Sequence, residues 1–301
     1  MIIGTAILSS ASMLAANIGK TVSDTAAAVA SHAGNASNGN WVIEHVSDSH
    51  TLDFLPFGEI HLPHFPPIHI AGLTIDMSLT KHVVMMWIAA LLVILAARKA
   101  AKGYKKSLVP GKFANAMEMI VLFIRDEVVL PATGEKGRKM LPYFLTLFFF
   151  ILFSNLFELI PYGSAPSSDI SFTASLALIA FFVVQISGII HHGFFGYFKG
   201  LIPKGVPVFA LPILAIVEIL GLFTKPFALC VRLFANLVAG DIAIFSFIGL
   251  IFVFGTVLIA PLAIGFALFI ELLEVLVAFI QAYIFTILTA LFVGMAIHQE
   301  H

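Results

Sequence analysis

The sequence predicts an all-α polytopic membrane protein with five membrane-crossing helices, the last two long and strongly tilted, plus an amphipathic interfacial helix. Three observations carry that prediction. Of the 301 residues, 60% are apolar and only 11% charged, and mean hydropathy is +1.03. That is more apolar surface than a soluble globule of this size hides. The apolar runs are far longer than the about 9–11 residues of a barrel strand, and lipid admits only helices or closed barrels. Basic residues also collect in alternate connecting segments, as they do in a chain that crosses repeatedly. A soluble enzyme and a disordered chain are excluded by the same composition. A net charge of −1 gives no basic footprint for nucleic acid. The single Cys230 excludes a disulfide framework and cysteine-based metal sites.

Residues 1–76 read as a loosely structured extramembrane arm. Residues 1–81 hold six acidic residues against Lys20 and Lys81, six of the 11 His, and the run His61-Leu-Pro-His-Phe-Pro-Pro. Residues 1–18 have the apolar, small-residue composition of a signal segment but no Lys or Arg n-region, so arm and signal both stay open. His61, His64 and His69 are too loosely spaced and Pro-broken for a zinc site and read as solvated. The first crossing is about 77–97, its short apolar stretch extended by snorkelling Lys81 and Arg98. Residues 98–139 carry 10 of the 16 Lys+Arg, which puts this loop in the cytoplasm and the arm outside. Within it, Phe113, Met117, Ile120, Val121, Ile124 and Val128 recur at helical spacing over about 112–130. This is a helix on the membrane surface or against a soluble partner.

The second crossing is about 140–160, followed by an external turn at Pro161, Gly163, Pro166 and Asp169. The third is about 170–190 and ends at His191-His192, with Lys199 and Lys204 on the basic side. Adjacent histidines on a helix point ~100° apart and do not clamp one metal. No metal or other cofactor is expected. Residues 212–250 and 262–297 are apolar throughout, with the only break near 255–261. At ~1.5 Å per residue each exceeds a hydrocarbon core of about 30 Å, so tilt is required. After the fifth crossing the C-terminus returns to the cytoplasm.

Six ionisable residues are embedded in those last two elements: Glu218, Lys225, Arg232, Asp241, Glu271 and Glu274. A charge at that depth is expensive and marks an ion or proton path by default. Glu218, Lys225 and Arg232 are spaced by seven and form one stripe, with Asn236 within ~40° of it. Asp241 falls ~180° from Arg232. Glu274 and Gln281 share a face, and Glu271 lies one turn before Glu274. The acids outnumber the bases, so salt bridges alone leave carboxylates over.

The run Lys225-Pro-Phe-Ala-Leu-Cys-Val-Arg-Leu-Phe-Ala-Asn-Leu-Val-Ala-Gly-Asp241 resembles the signature of subunit a of F-type ATP synthases. The run Gln281-Ala-Tyr-Ile-Phe-Thr-Ile-Leu-Thr-Ala is similar to that family's last helix, and Ser154-Asn-Leu-Phe-Glu-Leu-Ile-Pro161 to its second span. The resemblance covers about residues 75–301. It implies a non-catalytic, proton-translocating stator subunit beside a ring of c subunits, held by a b-type peripheral stalk and coupled to the soluble F1 ATPase. The length and the absence of an Arg-rich presequence point to a bacterial inner membrane rather than an organelle. The resemblance carries Arg232 over as the essential stator arginine and places Asn236, Asp241, Glu274 and Gln281 on the outer half-channel. Glu218 falls on the cytoplasmic exit, with Lys225, Glu271, Asn155 and Glu158 as supporting polar positions. Ala235 replaces a common Gly. Acids stand at both Asp241 and Glu274, where some members pair an acid with a His, so no His-based relay is available there. The alternative is a stand-alone ion-coupled transporter, which would show internal repeats; none is evident.

Overall fold

The computed structural model describes residues 51–54, 58–61, 63, 68–70, 73–75, 80–106, 111–159, 165–200, 211–254 and 257–298. The 1–18 stretch and His64 lie outside them. Two short antiparallel hairpins come first. β1 (Thr51–Phe54) pairs with β2 (Gly58–His61), Thr51 opposite His61; β3 (Ile68–Ile70) pairs with β4 (Leu73–Ile75), Ile68 opposite Ile75. The segment expected as a loose arm therefore contains local β structure. Its polar–apolar alternation, Thr-Leu-Asp-Phe, has the strand period.

Helices follow: α1 (Lys81–Lys106), α2 (Lys112–Phe123), α3 (Leu141–Leu156), α4 (Ile170–His192), the short α5 (Phe194–Gly200), α6 (Leu211–Phe254) and α7 (Ala260–Ile297). Among the described residues five helical segments are long and apolar enough to cross a membrane: Lys81–Gly103, Glu135–Leu159, Ile170–His192, Ile216–Ile251 and Ala260–Ile297. α1 runs on through the basic block because backbone hydrogen bonding continues where apolarity stops. Trp87, Ile190, Phe195, Phe227 and Leu272 are each more than half exposed. Large apolar side chains turned outward in such numbers need lipid around them.

α2 continues through a π-helical turn (Ile124–Val129) into a last α-turn at Leu130–Thr133. Pro131 explains the widening. It has no N–H for the carbonyl four residues back, and its ring crowds that carbonyl, so the ladder upstream takes in an extra residue. The turn brings Ile124, Val128 and Val129 fully into the core, against Phe144, Leu147, Phe148 and Ile151 of α3. The inner half of the expected amphipathic stripe is thus covered by the chain's own spans, while Phe113, Met119 and Phe123 stay exposed. On the outward side of that π turn the Arg125 guanidinium grips Asp126 through Nε–Oδ1 at 2.7 Å and Nη2–Oδ2 at 2.9 Å. This contact holds the Asp126 carboxyl below its usual range.

The chain divides into two compact units. One takes Gly240–Glu271; the other takes Asp48–Ala239 with Leu272–His301. The larger unit holds the core. To it α6 contributes Leu229, Leu233 and Leu237, and α7 contributes Ala282, Phe285, Ala290, Val293 and Ile297. These recur at steps of three to five residues, within one face of each helix. In the smaller unit Phe247 stacks on Phe266 with centroids 5.3 Å apart, and Ala263 and Ala267 are buried.

Candidate functional site

The larger unit places polar groups at both ends of its bundle and a line of them between. One group gathers where α1 begins, α3 ends and the turn Pro166–Ser168 precedes α4. His82, Ser154, Asn155, Ser167 and Ser168 are all buried there. Ser167 Oγ donates to Asn155 Oδ1 at 2.7 Å. Ser168 Oγ gives its proton to the Ala165 carbonyl at 2.7 Å, so at its 3.4 Å contact with His82 Nε2 the imidazole is the donor. Ser154 Oγ and Asn155 Nδ2 are buried and make no hydrogen bond to a described residue. Buried groups of this kind are normally satisfied by water. Glu158, one turn after Ser154, lies in the closing 3₁₀ turn of the same span.

The second group lines a cavity of about 350 Å³ at the other end, where α4 and α7 finish and α6 begins. Glu218 and Lys225 line it, with Gln185 from α4, Tyr197 from α5, Thr289 from α7, and His298. The Lys225 ammonium sits 5.4 Å from the centroid of the Phe292 ring, a cation–π contact that suits a cation out of bulk water. Pro226 sits inside α6 and withdraws the N–H that would have bonded the Leu222 carbonyl on the cavity wall. His191 and His192 do turn apart. His191 Nδ1 donates to the Ser187 carbonyl and His192 Nε2 to the Ile297 carbonyl, each at 2.9 Å. The second bond ties the end of α4 to the end of α7.

Between the two groups, the α6 stripe changes character along its length. Glu218 and Lys225 are half-buried, whereas Arg232 and Asn236 are exposed. Arg232 forms no ion pair with a carboxylate among the described residues. Asn236 Nδ2 donates to Gln281 Oε1 at 3.0 Å, a polar tie between expected residues of α6 and α7. Gln281 and Glu274 are buried on the inner face of α7, as their shared face requires. Thr286 and Thr289, buried farther along α7, satisfy their hydroxyls on the carbonyls one turn back at 2.8 Å. In the smaller unit Asp241 and Glu271 are both half-buried.

The profile of the ATP synthase A chain family matches residues 83–294, most of the chain and all of the helical line just described. The chain belongs to that family. Among its relatives, the ATP synthase subunit a of Chloroherpeton thalassium is 50% identical over 263 residues, 86% of this chain and 77% of the relative. That of Pelodictyon phaeoclathratiforme is 43% identical over 285 residues, 91% and 82% of the two chains. That of Myxococcus xanthus is 46% identical over 229 residues, 75% of each. As a member of the ATP synthase A chain family with five spanning helices, this is a multi-pass membrane protein. The family resemblance carried by the Arg232 run is borne out.

Several residues at these sites escaped the sequence reading. His82 falls inside the expected first crossing with no role assigned to it, and Ser167 and Ser168 fall in the expected external turn. Tyr197, Gln185 and His298 sit on three different elements, and no spacing links them. Only the family motifs singled out Asn155 and Glu158.

Proposed function

We propose that this chain is the proton-channel stator subunit of a rotary F-type ATP synthase, with two offset half-channels that pass protons to and from carboxylates on a ring of c subunits. The observation that supports it most is Arg232. A guanidinium stays protonated at any working pH and costs at least ~2.5–3.5 kcal/mol to place near the centre of a span. Here it stands exposed on α6, without a carboxylate partner among the described residues and between two polar groups at opposite ends of the bundle. Such a cation is complementary to an anion on another subunit.

In this reading the ring carboxylate facing Arg232 is kept ionised by it, and a proton cannot pass straight from one half-channel to the other. Asn236, Asp241, Glu274 and Gln281 line the outer half-channel, with Asn155 and Glu158 toward its mouth and Glu271 as support. Glu218, beside Lys225, serves the cytoplasmic exit. Each proton loads a ring site from one side and leaves it on the other after nearly a full turn. One charge crossing 100 mV yields only ~2.3 kcal/mol, so rotation must sum several for each ATP. The ATP chemistry stays on the soluble F1 subunits, and a b-type peripheral stalk holds this chain against the ring's drag. The chain lies in a bacterial inner membrane with the N-terminal arm outside and the C-terminus in the cytoplasm.

The sidedness is tested by thiol labelling. Glu218 precedes Arg232 by 14 residues, ~21 Å along the helix. In a Cys230→Ser background, which removes the one native thiol, a cysteine replacing Glu218 is expected to react with an impermeant maleimide from the cytoplasmic face. Reaction from the outer face alone would contradict the assignment.

A further inference from the structure

The cytoplasmic-end cavity contains a tyrosine that the half-channel reading does not use. Tyr197 is only 2% exposed although it lies on the seven-residue α5, just beyond the third span. Its ring lies so close on α4 that a Cβ at Gly188 would run into it, so the glycine makes the seat for the ring. Gln185, one turn before Gly188 on α4, hydrogen-bonds the hydroxyl. The hydroxyl lies within the electrostatic reach of Glu218, and both residues line the same 350 Å³ space. Burial, reinforced by the Glu218 charge and partly offset by Gln185, pushes the phenol above its ordinary range. It therefore stays protonated and remains a donor.

A phenol fixed by its packing, with a carboxamide on its oxygen, has one O–H left to aim, and the carboxylate on the same wall is its strongest acceptor. We propose that Tyr197, held by Gln185 and seated on Gly188, is a positioning residue for proton release at Glu218: it donates to the ionised carboxylate and holds it facing the cavity. Among the described residues that line the cavity, the other charged or titratable groups are Lys225 on α6 and His298 after α7, and the polar group from α4 is the neutral Gln185. This rests on the exit role given to Glu218 above.

The test is ATP synthesis by inverted membrane vesicles carrying the whole complex, driven by an imposed proton-motive force, with the pH of the cytoplasmic face titrated. Tyr197→Phe keeps the ring on Gly188 and removes only the donor. Without that donor the carboxylate holds its proton harder. The rate at neutral pH is expected to fall roughly threefold, and the profile to move up by about half a pH unit, two expressions of one change in proton affinity. Gln185→Leu is expected to move the profile the same way by less. An unchanged rate and profile for Tyr197→Phe, with Glu218→Gln impaired, overturns the inference and leaves the exit role standing. A lower rate with an unmoved profile also overturns it, since lost packing alone would do that. Wild-type synthesis by Glu218→Gln overturns the exit role and the inference with it.

Discussion

Arg232→Ala is expected to abolish both ATP synthesis and ATP-driven proton pumping while the complex remains assembled. The side chain is exposed on α6, and the packing of that helix rests on Leu229, Leu233 and Leu237, turned roughly 60–140° away from it. Removing the guanidinium therefore leaves the core untouched, and no described carboxylate loses an ion-pair partner. In the proposed function, what disappears is the fixed cation that keeps a facing ring carboxylate ionised and bars a direct proton leak. Arg232→Lys is expected to fail as well. An ammonium in a dry site sheds its proton where a guanidinium does not, and it lacks the planar fork. Fluorescence-quench pumping assays on membranes containing normal amounts of the assembled complex are the check. Coupled pumping at the wild-type rate in Arg232→Ala would refute the role.

The second large effect is structural. Gly294→Ala is expected to remove most of the chain from the membrane or leave it loosely packed. Gly294 lies near the end of α7, where a Cβ would run into the Ala132 carbonyl in the turn after α2. The obstacle is backbone, so no rotamer change relieves it. Helices in lipid pack by close approach at small residues, and overpacking of this kind costs about 1–3 kcal/mol even where the neighbours give way. Displacing this end of α7 also moves Thr289, Phe292 and Met295, the α7 wall of the Glu218 cavity. Immunoblots of membranes and thermal stability of the solubilised complex read the effect. Normal amounts with unchanged stability would show that α7 and the α2 turn are not in contact.

Much of the fold was legible because hydropathy and helix length are linked by the bilayer. The expected crossings at 140–160 and 170–190 meet helices at Leu141–Leu156 and Ile170–His192, and 262–297 meets Ala260–Ile297. The first helix extends past residue 97 to Lys106, since apolarity marks the lipid boundary and not the end of hydrogen bonding. The π turn before Pro131 and the two hairpins were not legible: a single-residue register change leaves no pattern, and an alternation over three or four residues is too short to mark a strand. At the site, the seven-residue spacing puts Glu218, Lys225 and Arg232 on one stripe; Glu218 and Lys225 line one cavity, whereas Arg232 is exposed and outside it. The Asn236–Gln281 bond was half legible, each residue lying on its helix's polar line with nothing to pair the two. Tyr197 was invisible because its role depends on tertiary contact with Gly188 and Gln185.

The central claim is that Arg232 faces the carboxylates of a rotating ring. The most direct measurement is an electron cryomicroscopy structure of the complex purified with this chain. The account predicts a circle of small helical hairpins against the exposed face of α6, with one ring carboxylate within about 4–6 Å of the Arg232 guanidinium or bridged to it by water. Arg232 pointing into lipid, or paired with a carboxylate of this same chain and no ring beside it, would contradict it.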